Sequence, residues 1–314
     1  MKAIVYQKFG NADVLQTIEM TTPFIQPNQV LVKVKAVSIN PLDWKIRKGQ
    51  MKLMSGSGFP KSTGVDFAGI IEDTGSAVTN FKKGDEVFGV VKNIMKEGAL
   101  AEYVAVPSST VWKKPKHLNF SQAASIPVVG AAAVTALEKM GNIHSQTQIL
   151  VNGATGGFSL LLLQLLKKTG ARVTAVTSTK AMDFAKEQGA SFVIDYTKEN
   201  VLAQKNKYDI VVDLSGKMSY ASARPIMKRK ALFLNATPKP IEIPTSLIKN
   251  LFTGKKHLVI LSNPSANNME ILLNAIDAGL QIVVSKVFRF AQYREAYQYA
   301  ENGGYVGKIA VELN

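Results

Sequence analysis

The stretch VNGATGGFS, residues 151–159, holds the residue types that a nucleotide phosphate requires. Apolar runs lead into it and out of it. Gly153 permits a tight turn, Gly156 lets the backbone approach a pyrophosphate, and Thr155 lies between them. Amides at Gly157 and Phe158, where a helix should begin, would face the phosphates and bring the positive end of the helix dipole. A third glycine usually lets helix and strand pack closely. Ser159 stands in its place, so that packing should loosen slightly. The strand–turn–helix context marks a dinucleotide cradle more than a bare turn.

A cradle for NAD usually carries an acid at the end of the next strand, for the ribose 2′-hydroxyl. Here Ser178, Thr179 and Lys180 occupy that place, and the first acid is Asp183. Two hydroxyls and an ammonium suit a 2′-phosphate. Tyr196, closing the following strand, could cover the adenine or donate to the same phosphate. NADPH is therefore the expected cofactor.

The elements that must hold this cradle follow from patterning. Up to about residue 120 the chain is strand-rich: KAIVY, QVLVKVKAVSI, FAGIIEDTG, DEVFGVV and ALAEYVAVP are separated by Gly, Pro, Asn and Asp. This predicts a compact antiparallel, barrel-like domain. SQAASIPVVGAAAVTALEKM then reads as one helix with Ser121 as its N-cap. Short apolar strands alternating with helices follow, the signature of a parallel sheet covered on both faces. From about Asn267 the pattern shifts again, and the last strand, GKIAVEL, could return to the first domain. The expected division is 1–122 completed by 267–314, with 123–266 between.

Composition narrows the chemistry. No cysteine is present, which removes disulfides, thiolate catalysis and cysteine-based zinc sites. His117, His144 and His257 have no metal-ligand spacing, so no metal is expected. Net charge is +15. Either the basic surface is simply solvated or an anionic partner binds it: a phosphorylated cofactor, an anionic membrane face or nucleic acid. No aromatic RNA motif supports nucleic acid. No apolar run spans a bilayer, and MKAIVYQKFG reads as a first strand, not a signal peptide. A cytoplasmic location is expected.

Taken in order along the chain, the motifs resemble the medium-chain dehydrogenase/reductase superfamily in its zinc-free quinone oxidoreductase branch. VSINPLDWKIRKG, FPKSTGVDFAGIIEDTGSAVTNFKKGDEVFG, GALAEYVAVP, PVVGAAAVTALEKMG, the glycine turn and GKIAVEL carry this resemblance over nearly the whole chain. NPLDWKIRKG and GKKHLVIL are closest to chloroplast-envelope-type quinone oxidoreductase homologues and alkenal/one reductases. The resemblance implies an α/β protein: a GroES-like β-rich catalytic domain plus a Rossmann domain with a doubly wound parallel sheet. Zinc members use a Cys near Asn40 and a His-Glu pair near Val65 and Asp66, and those ligands are missing here. Asn40 would line the nicotinamide end. Asp43 and Lys45 would form a structural ion pair or a proton relay. Lys308 resembles a position near the cofactor or the cleft.

The implied reaction is zinc-independent. Hydride passes from NADPH to the β-carbon of an enone or enal, or to a quinone, and preorganised donors meet the charge that builds on oxygen. Three departures stand out. Gln50 and Met51 replace a tyrosine found in many relatives, Ala132 replaces a threonine, with Thr135 further along, and Ser159 replaces a glycine. Two alternatives remain open: a non-catalytic NADPH-binding protein on RNA or an anionic membrane, and an enoyl-thioester reductase. No Tyr-x-x-x-Lys pair exists, which removes the short-chain dehydrogenase reading. A homodimer is expected, with peripheral membrane contact open.

Overall fold

The structure, a computed structural model, describes residues 1–238 and 242–313. The chain groups into two units. One holds Met1–Val128, Pro264–Met269 and the chain from Ile282 on, and the other holds Val129–Asn263 and Glu270–Gln281.

In the first unit the long strand Gln29–Ser38 is central. It pairs antiparallel with Asp66–Thr74, with Tyr103–Pro107 and with the terminal strand Lys308–Glu312. The order continues through Glu86–Val90 to Val111–Lys113 on one side and to Val284–Arg289 on the other. A smaller sheet places Lys2–Tyr6 between Leu15–Glu19 and Lys61–Ser62. Alternation along the central strand buries Val30, Val32 and Val34, and past a register shift Val37, in one core with Phe67, Ile71 and Tyr297. This is the β-rich GroES-like unit.

The second unit is a six-stranded parallel sheet. Its order is Phe192–Asp195, Arg172–Thr177, Gln148–Asn152, Tyr208–Asp213, Met227–Asn235, Lys255–Val259. Numbered along the chain, that is 3-2-1-4-5-6, the doubly wound Rossmann order. The strand order reverses between Gln148–Asn152 and Tyr208–Asp213, and the glycine turn leaves the first of these. Nucleotides bind at such a switch point, outside the carboxyl ends of the strands.

Three details correct the expectations. The Ala-rich segment is two helices, Phe120–Ala124 and Pro127–Met140. Pro127 has no N–H to continue the first of them. The cap is Asn119, not Ser121: the Asn119 side chain accepts from the Gln122 amide, and Gln122 answers it. Finally, residues 270–281 group with the parallel-sheet unit, where Gln164 bonds both the carbonyl and the amide of Gln281.

The helices Pro41–Arg47 and Tyr293–Asn302 meet through a buried ion pair. Arg47 is fully enclosed, lies 5.1 Å from the Tyr297 ring centre and bonds Glu301, which also pairs with Lys48. Glu301→Gln should lower unfolding free energy by about 3 kcal/mol, the low end for breaking a buried pair. Denaturant titration reads this; a loss below a few tenths of that would reduce the pair to ornament.

Candidate active site

The first unit joins Asn40 and Asp43 to Asp66 and Lys308 in one buried hydrogen-bond network. Asn40 caps the helix Pro41–Arg47, and its main-chain N–H donates to Asp43 Oδ2 at 2.7 Å. The Asn40 side chain donates from Nδ2 to Asp66 Oδ2 at 3.0 Å and accepts at Oδ1 from Lys308 Nζ at 2.7 Å. Lys308 also donates to the Ile39 carbonyl at 2.8 Å. Asp66 receives the Val128 amide at 3.3 Å. Asn40, Asp43, Asp66 and Lys308 are all buried.

Burial sets the protonation of these groups. It pushes the Asp43 carboxyl up to about 6, against the opposing pull of the Asn40 amide and the Lys308 ammonium. It also raises Asp66, opposed chiefly by Lys308. It lowers Lys308, opposed by Asp66 and then Asp43. A cavity of about 10 Å³ adjoins Asp43, lined also by Tyr6, Lys61 and Thr63. It has room for about one water and none for a substrate.

One sequence expectation changes here. Asp43 and Lys45 do not pair: two residues apart on a helix, they face different directions. Asp43 is buried on Asn40, whereas Lys45 is half-buried and makes no ion pair among the described residues. Lys308 is enclosed within the same network. At 5% exposure its ammonium is engaged with Ile39 and Asn40.

The second unit forms the turn. Gly153 has φ +79°, and a Cβ there would come within 2.9 Å of Ser215. Only glycine suits both demands. A Cβ on Gly156, the N-cap, would meet only Ser159 Oγ, at 3.9 Å, and the helix Gly157–Lys167 follows with Phe158 half-buried. Thr155 is half-buried within the turn. Ser159 does more than fill the glycine's place. It is buried, and its hydroxyl donates to the Gly153 carbonyl at 2.6 Å, tying the helix to the turn.

Around the turn, Asn152 donates to Asp213 at 2.8 Å and to Ser215 at 2.9 Å, bridging the two strands of the switch point. Ser178 is half-buried, and Thr179 and Lys180 are exposed. Thr179 donates to Asp195, which also accepts from the Thr197 amide and hydroxyl. The Thr179 and Thr197 hydrogen bonds hold the Asp195 carboxyl below its usual range. The Tyr196 amide bonds the Thr177 carbonyl at 3.1 Å. Its ring, 61% exposed, lines a cavity of about 400 Å³ with Asn152, Lys198, Asn200 and Lys217.

Sequence reading missed Asn152, Asp195, Asp213, Ser215 and Lys217. An acid closing each apolar strand, in FVID and YDIVVD, was the available signal. Lys308 as a partner of Asn40 left no local signal, since 268 residues separate them.

The raised Asp43 carboxyl has a consequence for stability. Between its ordinary 3.8 and about 6 the folded chain holds a proton that the unfolded chain has released. Stability from this group is complete below about pH 4 and falls as pH rises through 6. Relative to wild type, Asp43→Asn should therefore gain up to about 3 kcal/mol between pH 4 and 6.5. Paired thermal melts across that range measure it; a flat difference would show that Asp43 ionises normally.

Known proteins agree with this architecture. The sequence model of the alcohol dehydrogenase GroES-like domain matches residues 26–116, and that of zinc-binding dehydrogenases matches 188–311. The chain is 32% identical to the chloroplast envelope quinone oxidoreductase homolog of Arabidopsis thaliana, over 99% of this chain and 98% of that one. It is 38% identical to the NADPH-dependent alkenal/one oxidoreductase, chloroplastic, of the same plant, over 69% of this chain and 58% of that one. The quinone oxidoreductase from Coxiella burnetii superposes with a TM-score of 0.90 at 29% identity, covering 100% and 99%. The chain belongs to the medium-chain dehydrogenase/reductase superfamily, in its quinone oxidoreductase branch, and is an oxidoreductase of the nicotinamide-dependent type.

Proposed function

We propose that the protein is a zinc-independent reductase that uses NADPH to reduce the activated C=C bond of an enone or enal, or a quinone. The segment Ser178–Lys180 carries the cofactor reading. It offers hydroxyls and an ammonium where an acid would serve NADH, and the nearest buried acid, Asp195, already has its oxygens on Thr179 and Thr197. The amides at Gly156, Gly157 and Phe158, with Gly153 and Thr155, would hold the pyrophosphate. Tyr196 would flank the adenosine end. A relative named NADPH-dependent alkenal/one oxidoreductase supports both cofactor and substrate class.

Bound NADPH supplies the hydride. Asn40 orients the reacting groups, with Asp43 and Lys308 behind it. Lys45 is the relay candidate, since partial burial lowers the cost of releasing its proton. Zinc does not fit this donor set. Among the described residues no three His, Cys, Asp or Glu side chains converge as metal ligands, and the Lys308 ammonium sits against the Asn40 oxygen that a cation would need. The catalytic domain is assigned to 1–122 with 267–314, and the cofactor domain to 123–266, apart from the 270–281 segment noted above. No helix among the described residues is long and apolar enough to cross a membrane.

The strand Lys255–Val259 is an edge of the parallel sheet, and Leu251 and Phe252 beside it are 77% and 85% exposed. An open edge next to apolar surface favours pairing with a second copy. Sedimentation should give twice the 34.1 kDa chain mass; a species at the chain mass itself would remove the dimer.

Oxidation of NADPH with an enone, an enal and a quinone tests the reaction. Turnover is expected with NADPH and far less with NADH. Lys180→Ala should raise KM for NADPH roughly tenfold, the worth of one exposed charge-assisted contact, and leave KM for NADH unchanged. Equal use of both cofactors by wild type would overturn the 2′-phosphate assignment.

A further inference from the structure

We propose that Lys308 is a positioning residue: its buried ammonium on one side and Asp66 on the other lock the Asn40 carboxamide in a single orientation, leaving its second Nδ2–H as the donor for an oxygen of the bound reactants. The inference rests on the reading that Asn40 lines the reacting end.

A carboxamide can usually be turned end for end at little cost, because both ends hydrogen-bond. Asn40 cannot. Its oxygen accepts from Lys308 at 2.7 Å, and its nitrogen donates to Asp66 at 3.0 Å. Reversal would set NH2 against an ammonium and oxygen against a carboxylate, both repulsive and both buried. The backbone is held as well, since the Asn40 amide donates to Asp43 and the Lys308 ammonium takes the Ile39 carbonyl. An amide nitrogen has two donors. One goes to Asp66, and the other has no partner among the described residues. What remains is a buried N–H of fixed direction, suited to a carbonyl or enolate oxygen that gains charge.

The chain is built to deliver this lysine. Gly307 has φ +87°, and a Cβ there would lie 2.5 Å from the Val283 carbonyl. That carbonyl accepts the Lys308 amide at 2.9 Å, so the strand starts in register with its ammonium turned inward. The Ile39 amide bonds the Ile309 carbonyl at 3.0 Å, which brings the two segments together. An ammonium is a costly choice for a buried site if charge balance were its only purpose.

The test separates locking from charge balance. Lys308→Met alone leaves two carboxylates without their cation and should lower Tm. The double variant Lys308→Met with Asp66→Asn removes one charge of each sign, so Tm should recover. Its Asn40, however, faces an amide that serves either orientation. We expect kcat to fall about 100-fold in the double variant, with KM for NADPH changed less than about threefold. The second readout is independent of turnover: the side-chain 15N–1H signals of Asn40, identified by their loss in Asn40→Ala. In wild type the two protons should resonate far apart, one held by Asp66 and one not. In the double variant they should draw together. A double variant that regains both Tm and kcat would overturn the proposal and leave Lys308 as charge compensation. Asn40 signals unchanged in the double variant would overturn it whatever the kinetics. If wild type reduces no substrate, the reductase reading fails, and the Asn40 signals alone decide the locking.

Discussion

Three charges taken out of water constrain the first unit. Asp43, Asp66 and Lys308 are tolerated only because each meets a partner, and each of them bonds residue 39 or 40. The strand register makes this possible. Ser38 is paired with Asp66 on one side and with Ala310 on the other. A slip of one residue in either ladder would turn Asp66 or Lys308 to the opposite face and strand the rest. The sheet is thus specified by its buried charges as well as by its valines.

The parallel-sheet unit meets a different demand. Its turn leaves a strand, passes close to Ser215 and opens a helix within a few residues. Gly153 gives up its side chain to pass Ser215, and Ser159 gives the turn a hydrogen bond that glycine could not. Asn152 ties the two strands on which the sheet order reverses. Rigidity here comes from short polar side chains, each satisfied locally, so little needs to be ordered when a ligand arrives.

What could be read from the chain beforehand depended on distance along it. The glycine turn is local, and its strand–turn–helix geometry was visible as spacing. The strand-then-alternation pattern was enough for both layers, because periodicity reports burial directly. Ser121 was read as a cap because Asn119 sits two residues outside the apolar pattern, and Pro127 lies inside a run that otherwise looks helical. Asp43 and Lys45 look like an ion pair on paper, yet their helix sends them apart. The lysine that bonds Asn40 enters from a strand near the other end of the chain, and no local pattern announces a contact of that kind.

The place of the strand Lys308–Glu312 has one more consequence. It lies inside its sheet, between Val284–Arg289 and Gln29–Ser38, not at an edge. Synthesis proceeds from the amino end and domains fold as units. Every residue of the parallel-sheet unit therefore leaves the ribosome before that strand does, and the unit whose first strand appears earliest is the last to close. Until then it keeps a gap one strand in from the edge of its sheet, with Asp66 waiting for a cation that has not yet been translated.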